Sequence, residues 1–182
     1  MYRLIYNQNG YIVTCPEAVH YQDLIENFVL KCTEWAVKAD FDNVEYMWNR
    51  IYAAVKEKKK EGKYPVNMIV EMRVVKASKA LLSAAKGNSE DRYCFFEILG
   101  WMDKDTEFDE VSLKISRELM NKPEMDMRFH WPKMWQTVPE DELNVYLRKA
   151  YGENLVKFEN IRKKMDPEGM FLSDYFSKLL KQ

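Results

Sequence analysis

Two segments constrain this chain more than any others: "VNMIVEMRVV" (66–75) and "RYCFFEILGW" (92–101). Both are dense in β-branched, aromatic and other apolar residues, the composition of strands. Between them "KASKALLSAAKGNSED" reads as a loop or a short helix closed by Gly87 and Asn88. Ahead of them "DNVEYMWNRIYAAVKEKKK" is the clearest helix in the sequence. Val44, Met47, Trp48, Ile51, Tyr52 and Val55 recur at i, i+3, i+4, i+7, i+8 and i+11. Asp42 and Glu45 are its expected N-terminal cap pair, and Gly62 and Pro65 end it. A second amphipathic helix is predicted over about 107–120, with Phe108, Val111, Ile115 and Leu119 as its stripe. The Pro-bounded loop "NKPEMDMRFHWPKMWQTVPEDE" then leads into two or three short terminal helices. The mixture specifies an α+β fold, an antiparallel sheet backed by helices.

The N-terminal part is less decisive. "YRLIY" and "YIVTC" flank Asn-Gln-Asn-Gly, so residues 2–15 read as a hairpin or as paired edge strands. "AVHYQDLIENFVLKCTEWAVKA" fits strand or helix, and from Leu24 onward it fits a helical face better than alternation.

At 182 residues, 47% hydrophobic, the chain supports one buried core, and no linker or repeat divides it. A formal charge of −1 gives no electrostatic reason to expect a nucleic-acid or anionic-membrane partner. The run "KEKKKEGK" (56–63) lies at a helix end, where lysines complement the dipole and solubilise the surface. Cys15, Cys32 and Cys94 show no C-x-x-C spacing and read as reduced thiols. Neither a signal peptide nor a membrane span is visible, so a soluble, cytoplasmic protein is expected. His20 and His130 lie far apart without supporting cysteines, and no metal site is expected; His20 reads as structural.

Alternate residues of a strand share a face. Ile69, Glu71, Arg73 and Val75 therefore project one way, and Met68, Val70, Met72 and Val74 form an opposite apolar face suited to helix packing. Glu71 and Arg73 read in two ways: an ordinary ion pair on a solvated sheet, or a carboxylate and a guanidinium lining a pocket. In the second strand Tyr93, Phe95, Glu97, Leu99 and Trp101 share a face. If both strands face one cavity, the site holds two acids, one arginine and an aromatic wall. The third dense patch is "RFHWPKMW", where His130 sits between Phe129 and Trp131 with Lys133 three residues on. By itself, a histidine beside aromatics reads as structural.

Taken in order, "VEMRVV", "DRYCFFEILGW", "RFHWPK" and "DPEGMFLSDYFSKLL" resemble the C-terminal half of the aldonolactone oxidases. These comprise the gulonolactone, galactonolactone and arabinonolactone oxidases with the related alditol oxidases, in the vanillyl-alcohol oxidase superfamily of flavoproteins. The resemblance runs from about Tyr64 to the C-terminus, and residues 1–63 fit the same domain loosely. A similar Glu-x-Arg pair occurs in the sterol oxidases of that superfamily, so substrate class stays open.

The resemblance implies a single cap-domain-like unit over 1–182, the substrate domain of an FAD-dependent oxidase, with the FAD-binding domain absent from this chain. The family's Glu-x-Arg matches Glu71-Met72-Arg73, where the side chains face the flavin ring and the substrate hydroxyls. Arg73 would bind the hydroxyl oxygen; Glu71 would orient Arg73 or accept the proton. Arg-Pro-His-Trp-Gly-Lys matches Arg128 to Lys133, placing Lys133 by the reactive flavin face, with His130 and Trp131 shaping its loop. Phe129 and Pro132 depart from that pattern, and Pro132 removes an N–H donor beside Lys133, so a different backbone path is expected there. Glu97 is a further substrate-side candidate. Asp-Pro-x-Gly-x-Phe-x-Asn-x-Tyr matches Asp166, Pro167, Gly169, Phe171 and Tyr175, with Ser173 in place of Asn, as a structural turn and helix. The chain has only 6 Gly and no Gly-rich pyrophosphate loop, so it is not expected to bind FAD alone. The expected partners are an FAD-binding domain or subunit and a sugar lactone, polyol or sterol. The uncovered aromatic face is expected to self-associate as a two-fold dimer. The competing reading is a non-catalytic binding protein that keeps the cap fold.

Overall fold

The segment beginning at Leu30 is a strand, not the helix that its sequence favours, and the reason is burial on both faces. The computed structural model describes residues 30–101 and 106–180. In it β1 (Leu30–Lys38) buries Thr33, Trp35 and Val37 on one side and Glu34 and Ala36 on the other. A strand covered on both sides shows no polar–apolar alternation, so its period is hidden. The predicted hairpin over 2–15, with Cys15 and His20, lies outside the described residues.

Four strands form one sheet in the order β2-β3-β1-β4, antiparallel throughout. β2 (Val70–Lys76) and β3 (Arg92–Trp101) are the two strands foreseen, and they do pair. β4 is only Arg128–Phe129, too short to carry a periodicity. The α+β expectation holds.

Helices cover one face. α1 (Phe41–Lys60) is capped by Asp40, whose side chain accepts from the Asn43 backbone N–H at 2.9 Å. The cap therefore starts two residues before the expected Asp42–Glu45 pair. Its buried line is Asn43, Met47, Ile51 and Ala54, so the stripe is rotated from the predicted one: Tyr52 points to solvent, while Trp48 packs edge-on against Phe96. α2 (Thr106–Met120) buries Phe108, Val111, Ile115 and Leu119, as predicted. Its small residues meet β1 directly. The hydroxyls of Ser112 and Thr33 lie 2.8 Å apart, and the Trp35 indole N–H donates to Ser116 Oγ at 2.9 Å. Every one of these four side chains is fully buried, so the pairing removes a desolvation cost.

Both helices sit over β1 and β3, which leaves β2 as a bare edge. The apolar face expected to carry helices is instead open: Met72 is 42% and Val74 58% exposed, and only Val70 is half-buried. Gly100 of β3 is required for close approach, since a Cβ there would strike the Pro65 carbonyl oxygen and the Phe108 ring.

Beyond β4 come α3 (Glu140–Tyr151), α4 (Glu153–Met165) and α5 (Asp174–Leu180). α3 carries Glu140, Asp141 and Glu142 in its first turn, favourable against the helix dipole. The Asp166 carboxylate accepts from the backbone N–H groups of Met170 and Phe171, and Gly169 adopts φ +71°. That is the structural turn read from "DPEGMF". Among the described residues no helix is long and apolar enough to cross a membrane.

Candidate functional site

The sheet register aligns three carboxylates in one row. Glu71 on β2 stands opposite Glu97 on β3, and Glu97 opposite Glu34 on β1. Directly opposed residues share a face, so all three project to the side without α1 and α2. Like charges at neighbouring cross-strand positions repel, so the row is stable only with cations against it. Glu34 is 2% and Glu97 6% exposed, and each has one.

Arg73 supplies the first. It projects from β2 on the same face, beside Phe95 in register, with its guanidinium 4.9 Å from the Phe95 ring centroid. Its NH2 reaches Glu34 Oε1 at 2.8 Å. The expectation that Glu71 would pair with or orient Arg73 is therefore not what the chain does. Glu34 holds Arg73, and Glu71 is exposed and makes no ion pair among the described residues. Arg73 itself remains 47% exposed.

The loop after β4 delivers the rest. The His130 N–H donates to the Glu34 carbonyl at 3.1 Å, and the Met134 N–H to the Cys32 carbonyl at 2.9 Å, so residues 130–134 run along β1. Between those anchors the Lys133 N–H closes a turn on the His130 carbonyl, with Pro132 at its exposed position. The missing Pro132 donor costs nothing there. Lys133 Nζ reaches Glu97 Oε1 at 2.5 Å, on the site face despite the departures at Phe129 and Pro132. Burial opposes its charge, but the hydrogen bond and charge of Glu97, with Cys32 and Glu34 assisting, hold the ammonium above the ordinary lysine range. Burial pushes the neighbouring Cys32 thiol up, against the pull of Lys133. His130 Nδ1 contacts Glu34 Oε2, and its ring stands edge-on to Phe95 with centroids 5.3 Å apart. Trp131 turns away, donating its indole N–H to the Leu82 carbonyl at 2.6 Å and stacking on Tyr151.

The structure thus brings Arg73, Glu97, His130 and Lys133 to one face, with Glu71 at its β2 margin. Glu34 is the residue that sequence reasoning missed. Its signal was available: one acid in the middle of "LKCTEWAVK", as Glu71 and Glu97 stand within their own apolar strands. Buried carboxylates each tied to a cation leave a fixed array of N–H donors, suited to binding an oxygen or stabilising negative charge. Among the described residues no cluster of three or more His, Cys, Asp or Glu is placed to hold a metal.

One groove lies elsewhere. About 450 Å³ in volume and almost wholly apolar, it is lined by Leu82, Trp131, Phe158, Met165, Phe171 and Phe176 among others. The charged face does not line it.

The family model for D-arabinono-1,4-lactone oxidase matches residues 8–179, well upstream of the Tyr64 boundary drawn from motifs. No curated protein matches the chain. Among solved structures, cholesterol oxidase from B. sterolicum is similar with a TM-score of 0.69 at 17% identity, over 84% of this chain. The match covers 34% of that oxidase, so the chain spans about a third of the solved protein's length. At this identity the likeness is one of fold.

Proposed function

The chain belongs to the D-arabinono-1,4-lactone oxidase family, and from that premise we propose that it is the substrate-side portion of an FAD-dependent oxidoreductase acting on a CH–OH group. The observation that carries this reading is the pair of cations, Arg73 and Lys133, each anchored to a buried glutamate on one sheet face.

The residues fit the ring of a flavin better than its phosphates. Arg73 and Lys133 offer fixed positive charge where a reduced, anionic ring would lie. The described glycines with positive φ, Gly62, Gly152 and Gly169, are scattered singly and make no phosphate cradle. A flavin-binding domain or subunit is thus the proposed partner, and this chain the unit that resembles a C-terminal substrate domain. When bound, a flavin supplies the hydride acceptor. The chain's own residues do the remainder. Arg73, half-exposed and stacked on Phe95, donates to the substrate hydroxyl oxygen. Lys133 stays cationic and stabilises negative charge beside it. Glu71 and the margin of the row accept hydrogen bonds from further hydroxyls. That last feature favours a sugar lactone or polyol, which carries several hydroxyls, over a sterol, which carries one.

The test is reconstitution with the flavin-binding domain of a family member. Visible absorption reads bound flavin, and turnover is followed on D-arabinono-1,4-lactone and on an alditol. The expected result is oxidation of one of them, with Arg73→Ala abolishing turnover while flavin stays bound. A flavin-loaded assembly that oxidises neither would favour the binding-protein reading.

A further inference from the structure

The buried carboxylate of Glu34 makes a second arrangement besides its hold on Arg73. Resting on the reading above, we infer that Glu34 and His130 form a carboxylate–imidazole pair that makes His130 Nε2 the proton acceptor for the hydroxyl bound by Arg73.

Geometry and donor arithmetic carry the inference. An ionised carboxylate only accepts hydrogen bonds, and Glu34 spends both oxygens: Oε1 lies 2.8 Å from Arg73 NH2, and Oε2 contacts that NH2 at 3.1 Å and His130 Nδ1. The ring nitrogen facing it must therefore carry its hydrogen. Arg73 NH2 also comes within 3.4 Å of Nδ1, but two donors make no bond with each other. With Nδ1 protonated, a neutral imidazole has its lone pair on Nε2. That atom has no hydrogen-bond partner among the described residues, and it is not one of their buried orphaned atoms, which are Asp109 Oδ1, Arg128 Nε, Asn144 Oδ1 and Tyr151 OH. The side chain is 26% exposed, so Nε2 is accessible from outside.

An alcohol being oxidised needs a donor for its oxygen and an acceptor for its proton. Arg73 and His130 supply one each, and the same carboxylate fixes both. With a flavin bound as hydride acceptor, loss of the carbinol hydride would be accompanied by breaking of the O–H bond. Its electron pair closes the carbonyl bond, and its proton passes to Nε2. The resulting imidazolium lies against Glu34, which balances its charge. Glu34 is thus a positioning residue for two groups, and His130 is more than a shaper of the Lys133 loop.

The chain itself provides the first test, with no flavin needed. It has 2 histidines, so long-range proton–nitrogen NMR has two rings to assign, and His130→Gln identifies one. In mildly alkaline buffer His130 is expected in the Nδ1–H tautomer, the reverse of the Nε2–H form that free histidine favours in water. Glu34→Gln should shift the population toward Nε2–H. An Nε2–H ring at His130 in the unsubstituted chain overturns the proposal. The second test uses the flavin-loaded assembly: His130→Ala should lower kcat by about 100-fold or more, the scale of a lost general base, with KM little changed and rate restored by added imidazole. Unchanged kcat overturns the acceptor role while the oxidase reading stands. An unsubstituted assembly that binds flavin and oxidises nothing overturns that reading instead, and leaves the tautomer result intact.

Discussion

Arg73 and Glu34 form an ion pair of 2.8 Å although their strands do not touch. β3 lies between β2 and β1, so the guanidinium spans two strand spacings, about 10 Å in all. It does so by lying across Phe95, and the next residue in that register line is Ala36, whose small side chain leaves the way clear. The site is therefore a product of register: a shift of one residue in β2 would turn Arg73 to the helix side.

Breaking that pair should be visible in stability. Glu34→Ala is expected to lower unfolding free energy by about 1–3 kcal/mol, because Arg73 can turn to water while His130 loses a buried partner. In a double-mutant cycle with Arg73→Ala the coupling should be at least ~0.5 kcal/mol, read from urea unfolding. Simple additivity would contradict the pairing.

The core under the sheet predicts a contrast. Ile115 is fully buried between α2 and the sheet, and Ile115→Ala should cost about 2–5 kcal/mol. Tyr52, placed on the same stripe as Ile51 by sequence, points outward, and Tyr52→Ala should change stability by no more than ~0.5 kcal/mol. Thermal unfolding of Tyr52→Ala, with Ile115→Ala as the packed reference, shows whether the Tyr52 side of α1 faces solvent.

Gly100→Ala tests the close approach at the end of β3. The added methyl would meet backbone at Pro65 and the Phe108 ring at 2.7 Å, and the backbone cannot rotate aside. A loss of about 1–3 kcal/mol is expected, with α2 loosened first in hydrogen exchange.

Alkaline pH should weaken the fold through its buried tyrosines. Burial, with the hydrogen bond to Asp126, pushes the Tyr93 hydroxyl up to about 12. A raised folded pKa means that the fold favours the protonated hydroxyl. Its contribution is complete below the ordinary value of about 10 and disappears as pH climbs through about 12. Burial pushes Tyr146 and Tyr151 the same way. The urea midpoint should fall across that window, and Tyr93→Phe should flatten the fall. A midpoint independent of pH there would refute the assignment.

Much of the architecture was legible because its elements have one dry face. α2 reads correctly down to Phe108, Val111, Ile115 and Leu119, and β2 and β3 stand out by composition. β1 did not, since a strand buried on both sides has no period to read, and without the strand the lone acid Glu34 had no face to be assigned to. The Met72 and Val74 face was misplaced for the opposite reason: alternation shows which residues share a face, not whether anything covers it. Arg73, Glu97, His130 and Lys133 were named from sequence, but their pairing depends on a register that spans β1. β4, at two residues, lies below the length at which any pattern exists.

The position of β1 also sets the order in which the molecule can be completed. The first strand described is flanked by strands from 92–101 and 128–129, so a chain leaving the ribosome carries Glu34 for 96 residues before His130 arrives. Loop closure over such separations is slow, and it precedes any reward from the contacts it makes. The carboxylate row thus gains its full set of cations at the end of folding, and a nascent chain stalled before Phe129 would expose an unfinished β1 edge to chaperones.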